Sequence, residues 1–270
     1  MPNLDAIVKA YDIRGTVPDQ LDAEAAYALG VAFVKFTGAG SIVVAHDMRP
    51  SGLELIDAFQ RGALSHGVNV TNLGLASSDL LYYASGKMNV PGAMFTASHN
   101  PAQYNGIKCC LAGEPVKAET AGLLDHANLL SEFADHVVRF LGGEKLRSLR
   151  IVADTANGMG GLVVPAVFER LESFSLEVMY GELDGTFPNH PADPLQPANQ
   201  RDLQARVLAG SFDVGLAFDG DADRVFVVDE QGKGMSGSTT TALLASRFLR
   251  LKPGSTILYN LICSKAVPEV

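Results

Sequence analysis

The chain has no tryptophan and only three cysteines, and the way those cysteines fall excludes two classes of protein at once. Cys109 and Cys110 are adjacent and Cys263 lies far downstream, so there is no disulfide framework and no zinc-ligand spacing, and a reducing cytoplasm is the expected compartment. Basic residues are also scarce. With 21 Lys and Arg against 30 Asp and Glu the formal net charge is -9, which argues against a nucleic-acid partner, because a phosphate backbone needs clustered positive charge. Small anionic substrates need only local positive charge and stay open. No uncharged apolar run approaches the length of a bilayer span, and Met1 to Ala10 has no apolar signal core, so neither a membrane protein nor a secreted one is predicted.

What is present is a chain that is 47% hydrophobic over 270 residues, enough for two domains and the beginning of a third. Apolar strands alternate with amphipathic helices. Helices are predicted over Ala23 to Phe36, Ser51 to His66, Ser78 to Tyr83, Glu119 to Val138, Leu162 to Leu171, Asn199 to Ala209 and Ser238 to Leu251. Between them come strands at Ser41 to Ala45, Val68 to Leu73, Pro91 to Phe95, Arg150 to Asp154, Ser175 to Met179, Val214 to Phe218, Val225 to Val228 and Ser255 to Tyr259. This pattern predicts an α/β fold of serial domains, with mixed, mainly parallel sheets covered by helices. Gly142-Gly143-Glu144-Lys145 is the best linker, giving expected domains at 1–143 and 144–252 and the start of a third at 253–270.

Two loops carry the chemistry. Asp219-Gly220-Asp221-Ala222-Asp223-Arg224 lies between two apolar runs and crowds three carboxylates into one turn, which needs a compensating cation if the turn is buried. An all-carboxylate set favours a hard ion, magnesium before calcium. A solvated acidic turn is the plain alternative. An EF-hand loop is a weaker one, since its obligatory sixth-position glycine is Arg224 here.

The second loop, Thr96-Ala97-Ser98-His99-Asn100-Pro101, follows a predicted strand directly. Ser98 is a candidate nucleophile, but no Gly-x-Ser-x-Gly elbow surrounds it and His99 is badly placed to act as its neighbour's base, so a hydrolase triad is poorly supported. Tyr104-Asn105-Gly106 reads as a turn that brings Lys108 back beside Ser98. Arg14 is a surface charge or an anion ligand. His46, Asp47 and Arg49 sit at the carboxyl end of a strand, where open α/β sheets place their ligands. The glycines at 158, 160 and 161 lack dinucleotide-fingerprint spacing and read as a strand-to-helix turn. The proline-rich stretch from Phe187 to Pro197 is long enough to have a job, such as resting on the acidic loop.

Together these pieces resemble the α-D-phosphohexomutase family, in particular its phosphomannomutase/phosphoglucomutase branch. The matching segments are Tyr11-Asp12-Ile13-Arg14-Gly15, Thr96 to Pro101, Tyr104-Asn105-Gly106-Ile107-Lys108, Asn157-Gly158-Met159, Phe187-Pro188-Asn189-His190 and Asp219 to Arg224. The resemblance implies that Ser98 is a phosphoserine exchanging its phosphoryl group with a hexose phosphate through a hexose bisphosphate intermediate. It implies that Ser98, Asp219, Asp221 and Asp223 hold Mg2+. It also implies that Arg14 and Arg224 face phosphoryl oxygens, and that Lys108 and His99 help move the sugar hydroxyl proton.

The family has four domains, and its Gly-Glu-x-Ser-Gly sugar loop and distal phosphate loop have no counterpart here, Met235-Ser236-Gly237 being a superficial echo. The expected activity is therefore a phosphohexomutase reaction on mannose or glucose phosphates, impaired in this chain alone. A magnesium-dependent sugar phosphatase and a non-catalytic partner-binding fragment are the alternatives.

Overall fold

The computed structural model describes residues 6–8, 12–112, 122–142 and 146–270. The first part of the chain gives β1 (Ile13–Thr16), α1 (Ala23–Thr37), β2 (Ser41–His46), α2 (Gly52–Leu64), β3 (Asn69–Leu75), α3 (Ser78–Met88), β4 (Gly92–Phe95), β5 (Tyr104–Cys110), β6 (Leu124–His126) and α4 (Leu130–Arg139). Local chemistry sets the ends of α1. The Asp22 carboxylate accepts the Ala25 N–H at 2.8 Å, and the helix stops at Gly38 in the left-handed region with φ 62°.

These strands form one sheet in the order β1-β5-β4-β2-β3-β6. β2, β3, β4 and β6 run parallel, while β1 and β5 are antiparallel to their neighbours. The sheet centre is fully apolar: Ile42 to Ala45 and Ala93 to Phe95 are all completely buried. Helices α1 and α2 cover one face and approach at backbone contact, since a Cβ on Gly30 would lie 2.2 Å from the Phe59 carbonyl oxygen and one on Gly62 2.3 Å from that of Tyr27. Gly30→Ala is therefore expected to lower stability by about 1–3 kcal/mol through overpacking, read as a lower denaturant midpoint at unchanged slope.

The second part gives β7 (Leu149–Asp154), α5 (Gly160–Phe168), β8 (Phe174–Met179), a 3₁₀ turn (Pro197–Gln200), α6 (Arg201–Gly210), β9 (Val214–Phe218), β10 (Val225–Asp229) and α7 (Gly237–Leu251). Its sheet runs β10-β9-β7-β8, with β7, β8 and β9 parallel and β10 folded back on β9 as an antiparallel hairpin. The mixed, mainly parallel α/β architecture is thus the expected one.

A single apolar cluster joins the two sheets. Ala76, Leu80, Leu81 and Phe133 from the first pack with Met159, Val163, Val164 and Ala222 from the second. The consequence is positional. The loops after β2, β3 and β4 leave the carboxyl edge of the first sheet, and the loops after β7 and β9 leave the same edge of the second, so both sets meet across this shared core.

Four local expectations are corrected. The segment read as one helix from Glu119 to Val138 is a short edge strand, β6, and then α4, with 119–121 outside the described residues. Tyr104 to Gly106 is not a turn but the start of β5, where Gly106 lets β1 approach: a Cβ there would meet the Ile13 carbonyl oxygen at 2.1 Å. β10, expected as a buried strand, is a half-buried edge strand, with Val225 42% accessible and Val228 completely buried. Ser255 to Tyr259 forms no strand, because no neighbouring strand offers it backbone partners, and Leu258, Leu261 and Ile262 are largely exposed. Of the predicted linker only Gly142 is described, and Tyr11 also lies outside the described residues.

Candidate active site

The nucleophile candidate is held in an uncommon backbone conformation. Ser98, at the first turn beyond β4, has φ +54° and is 3% exposed. The left-handed region costs a non-glycine residue roughly 1 kcal/mol, so surrounding contacts must impose it. They are on hand: the Ser98 N–H donates to Thr96 Oγ1 at 2.9 Å, and the Ser98 carbonyl accepts from Arg49 Nη2 at 2.8 Å.

Its hydroxyl points across to the second sheet. Ser98 Oγ donates to Asp219 Oδ2 at 2.8 Å and accepts from Arg224 Nη2 at 2.5 Å. Arg224 also holds Asp219 Oδ2 through Nε at 2.9 Å and reaches His99 Nδ1 at 2.6 Å. The acidic loop can come this close because of Gly220, where a Cβ would lie 2.3 Å from the Ser98 carbonyl oxygen. The loop's back is fixed as well. Met159 N–H donates to the Gly220 carbonyl at 2.8 Å, and Asn157 is held by Asn189 Nδ2 at 2.7 Å. A Cβ on Gly220 would also sit 3.6 Å from the Phe187 ring, so the proline-rich loop does rest on the acidic turn.

Asp219, Asp221 and Asp223 converge, with one carboxylate oxygen from each lying within 4.8 Å of the others. Lys108 bridges two of them, at 2.5 Å from Asp221 Oδ2 and 2.6 Å from Asp223 Oδ2. Its ammonium therefore goes to the acids, and no bond to Ser98 is formed. Asp221 Oδ2 also accepts from the buried Ser78 hydroxyl at 2.5 Å, which ties the acidic loop to the start of α3. Asp221 Oδ1 is buried with no hydrogen-bond partner among the described residues. An orphaned carboxylate oxygen beside two further carboxylates is a donor set that could hold a cation, and three aspartates suit the hard, oxygen-seeking Mg2+.

The electrostatics agree. Burial, then the Asp221 charge, pushes the Asp219 carboxyl up to about 7 despite Arg224. Burial opposes ionisation of Asp221 too, but the Lys108 ammonium outweighs it and its pKa falls. Lys108 is pushed up to about 12, its burial overcome by Asp221 and Asp223. His99 is lowered by burial and by Arg224, so the imidazole is neutral and accepts the Arg224 N–H on Nδ1. Arg14 stands one step back: Nη1 donates to Asn100 Oδ1 at 2.6 Å, Nη2 pairs with Asp12, and Nε is buried without a partner among the described residues.

A second histidine lies within the proline-rich loop. His190 Nε2 lies 2.9 Å from Asp154 Oδ2, and its Nδ1 faces the Pro191 carbonyl at the same distance. Two acceptors favour the doubly protonated ring, and they outweigh burial to raise its pKa above 6.5. The stabilisation is complete below pH 6.5 and fades as pH rises through the higher folded value. His190→Gln is expected to cost about 1 kcal/mol at pH 6 after solvent screening, and progressively less toward pH 8, as measured by thermal melts.

Every candidate site residue picked from the sequence lies in or beside this centre, and Ser78 was passed over. Ser78, Thr96 and Asp47 are buried and bonded to site groups. Thr96 reads from the sequence only as part of the Ser98 loop, and Asp47 and Arg49 only as polar residues at a strand end. Ser236, in the echo of the sugar loop, caps α7 by accepting the Thr239 N–H at 3.1 Å.

Similarity to known proteins agrees with this geometry. Residues 5–128 match the family description "Phosphoglucomutase/phosphomannomutase, alpha/beta/alpha domain I", and residues 131–233 match domain II of the same family. The chain belongs to the phosphoglucomutase/phosphomannomutase family. It is 35% identical to a phosphomannomutase/phosphoglucomutase of Pseudomonas putida, over 97% of this chain and 60% of that protein. A phosphoglucomutase of Neisseria gonorrhoeae is likewise 35% identical, over 94% of this chain and 59% of the relative. A crystal structure of a phosphoglucomutase/phosphomannomutase family protein from Burkholderia thailandensis superposes with a TM-score of 0.89 at 32% identity, covering 98% of this chain and 64% of that one. The chain thus spans about 60% of the length of the curated relatives it matches.

Proposed function

We propose that the chain carries the phosphoryl-transfer centre of a phosphohexomutase acting on glucose or mannose phosphates. The observation that carries this reading is the Ser98 hydroxyl held at 2.8 Å from Asp219 within a three-aspartate cluster that contains an orphaned buried oxygen. Residues 1–143 supply the serine and residues 144–252 the acids, with 253–270 opening a third unit.

In the transfer, the bond between phosphorus and Ser98 Oγ breaks as one forms to a sugar hydroxyl oxygen. The sugar proton leaves, and Ser98 Oγ regains a proton. The product is a hexose bisphosphate. The bond between phosphorus and the sugar oxygen of its original phosphate then breaks as one forms to Ser98 Oγ. The serine proton passes to that sugar oxygen, and the phosphoserine is restored. Asp219, Asp221 and Asp223, with an oxygen on Ser98, are the residues that would hold Mg2+. Bound there, the ion neutralises charge on the phosphoryl oxygens.

The side chains do the rest. Arg224, donating to Ser98 Oγ, is aligned to bind phosphoryl oxygens, and Arg14 presents a guanidinium through the Asn100 side of the same loop. Lys108, held as an ammonium between Asp221 and Asp223, is placed to donate a proton to a sugar oxygen brought to the cluster. His99, neutral and engaged on Nδ1, keeps Nε2–H for donation. The activity proposed for these 270 residues is the exchange of the Ser98 phosphoryl group with a hexose phosphate.

The test is intact-mass and phosphopeptide analysis after incubation with glucose 1,6-bisphosphate and Mg2+. A stable phosphoryl group on Ser98 is expected. Release of phosphate with no modified serine would make the chain a phosphatase and overturn the reading.

A further inference from the structure

Arg49 has a role that its place at a strand end does not disclose. It is 2% exposed, and all five of its guanidinium N–H groups are spent inside the protein. Nε donates to Asp47 Oδ2 at 3.1 Å. Nη1 donates to the carbonyls of Pro101 at 2.8 Å and Tyr104 at 3.0 Å, and Nη2 to those of Ser98 at 2.8 Å and Asn100 at 2.7 Å. No donor is left for a substrate.

The same ion pair reaches Ser98 from its other side. Asp47 Oδ2 accepts the Thr96 hydroxyl at 2.7 Å, and Thr96 Oγ1 in turn accepts the Ser98 N–H at 2.9 Å. Asp47 and Arg49 therefore grip both backbone polar groups of the one residue whose φ of +54° aims its Oγ at Asp219. The guanidinium also touches the second sheet's loops. It lies 5.3 Å from the centre of the Phe187 ring, and a Cβ on Gly185 would come within 2.6 Å of Arg49 Cα.

We propose that Arg49 is a positioning residue: with Asp47 and Thr96 it imposes the left-handed backbone of Ser98 and so places the nucleophile on the acidic cluster. A planar fork of five donors is required, because four carbonyls and a carboxylate around one group cannot be matched by the three donors of an ammonium. The proposal rests on the phosphoserine reading for its kinetic consequence but not for its structural one.

Arg49→Lys is the principal test, on the full chain. Mg2+ binding by calorimetry is expected to persist, because the three aspartates lie on the other sheet and only the oxygen on Ser98 is withdrawn from the ligand set. The rate constant for Ser98 phosphorylation by glucose 1,6-bisphosphate is expected to fall about 100-fold, the cost of a nucleophile displaced by about an ångström, with the half-saturating concentration unchanged. A crystal structure of the variant should show Ser98 out of the positive-φ region and its Oγ away from Asp219.

A folded Arg49→Lys protein that keeps both the rate and the Ser98 geometry overturns the proposal. If that variant fails to fold, Thr96→Val decides. It leaves the ion pair intact and removes only its link to the Ser98 N–H, and a loss of about tenfold in rate together with a changed Ser98 φ is expected. Unchanged rate and geometry there would reduce Arg49 to a structural residue. If the parent protein takes up no phosphoryl group, the phosphoserine reading fails, while the two variant structures still decide the role of Arg49.

Discussion

Ser98→Ala is expected to eliminate phosphoryl uptake while leaving the fold and the metal cluster in place. Alanine keeps a Cβ, so the backbone at φ +54° is no more strained than before, and the Thr96 and Arg49 bonds to the Ser98 N–H and carbonyl remain. Asp219 loses one donor yet keeps three from Arg224: the backbone N–H at 3.1 Å, Nε at 2.9 Å and Nη2 at 2.5 Å. The stability cost is thus about 1 kcal/mol, the usual worth of a hydrogen bond. The chemical cost is total, because no other hydroxyl is seated at that point. Arg224→Ala should act differently: it keeps the acceptor but removes the guanidinium that touches Ser98 Oγ, and a rate loss of about 1,000-fold is expected. Quenched-flow phosphorylation with mass detection reads both.

The second large effect is the pH dependence of Mg2+ binding. With the carboxyl of Asp219 pushed up to about 7 by burial and the Asp221 charge, a proton competes with the metal for this ligand. Apparent Mg2+ affinity should therefore rise about tenfold per pH unit below 7 and level off above it. The sign for stability is the opposite. A carboxyl whose folded pKa is raised stabilises the protein when protonated, so the metal-free protein loses stability as pH climbs from the ordinary carboxylate range toward 7. Adding Mg2+ at 100 times its dissociation constant should return about 2.7 kcal/mol, and more of the metal's effect should show at pH 8 than at pH 6. Asp219→Asn removes the titrating proton, so its weaker Mg2+ binding should lose this steep rise through pH 7. Titration calorimetry across that range measures both.

How much of this the sequence disclosed follows from the range of each contact. Three aspartates at alternate positions between apolar runs mark a candidate cation site locally, and the Ser98 loop is marked by its own turn residues. Parallel strands likewise show as apolar runs between helices. By contrast, Ser78 meets Asp221 across 143 positions and Arg49 meets the Ser98 loop across about 50, and neither end of such a pair looks unusual by itself. Arg49 in particular reads as a polar residue at a ligand-binding strand end until its four carbonyl partners are seen. The local misreadings have equally plain causes. β6 has three exposed residues and no periodicity to detect, and Tyr104-Asn105-Gly106 has turn composition because its glycine serves a close strand approach. The run at Ser255 to Tyr259 has the composition of a strand, and a strand forms only against a neighbour.

The most direct test of the central claim is a crystal structure of the chain grown with saturating Mg2+. The account predicts one octahedral ion bound by Asp219, Asp221 and Asp223, with an oxygen carried on Ser98 in its coordination shell and the Lys108 ammonium drawn away from Asp221. An ion bound elsewhere, or an ion on the three aspartates with Ser98 turned out of reach, would contradict it.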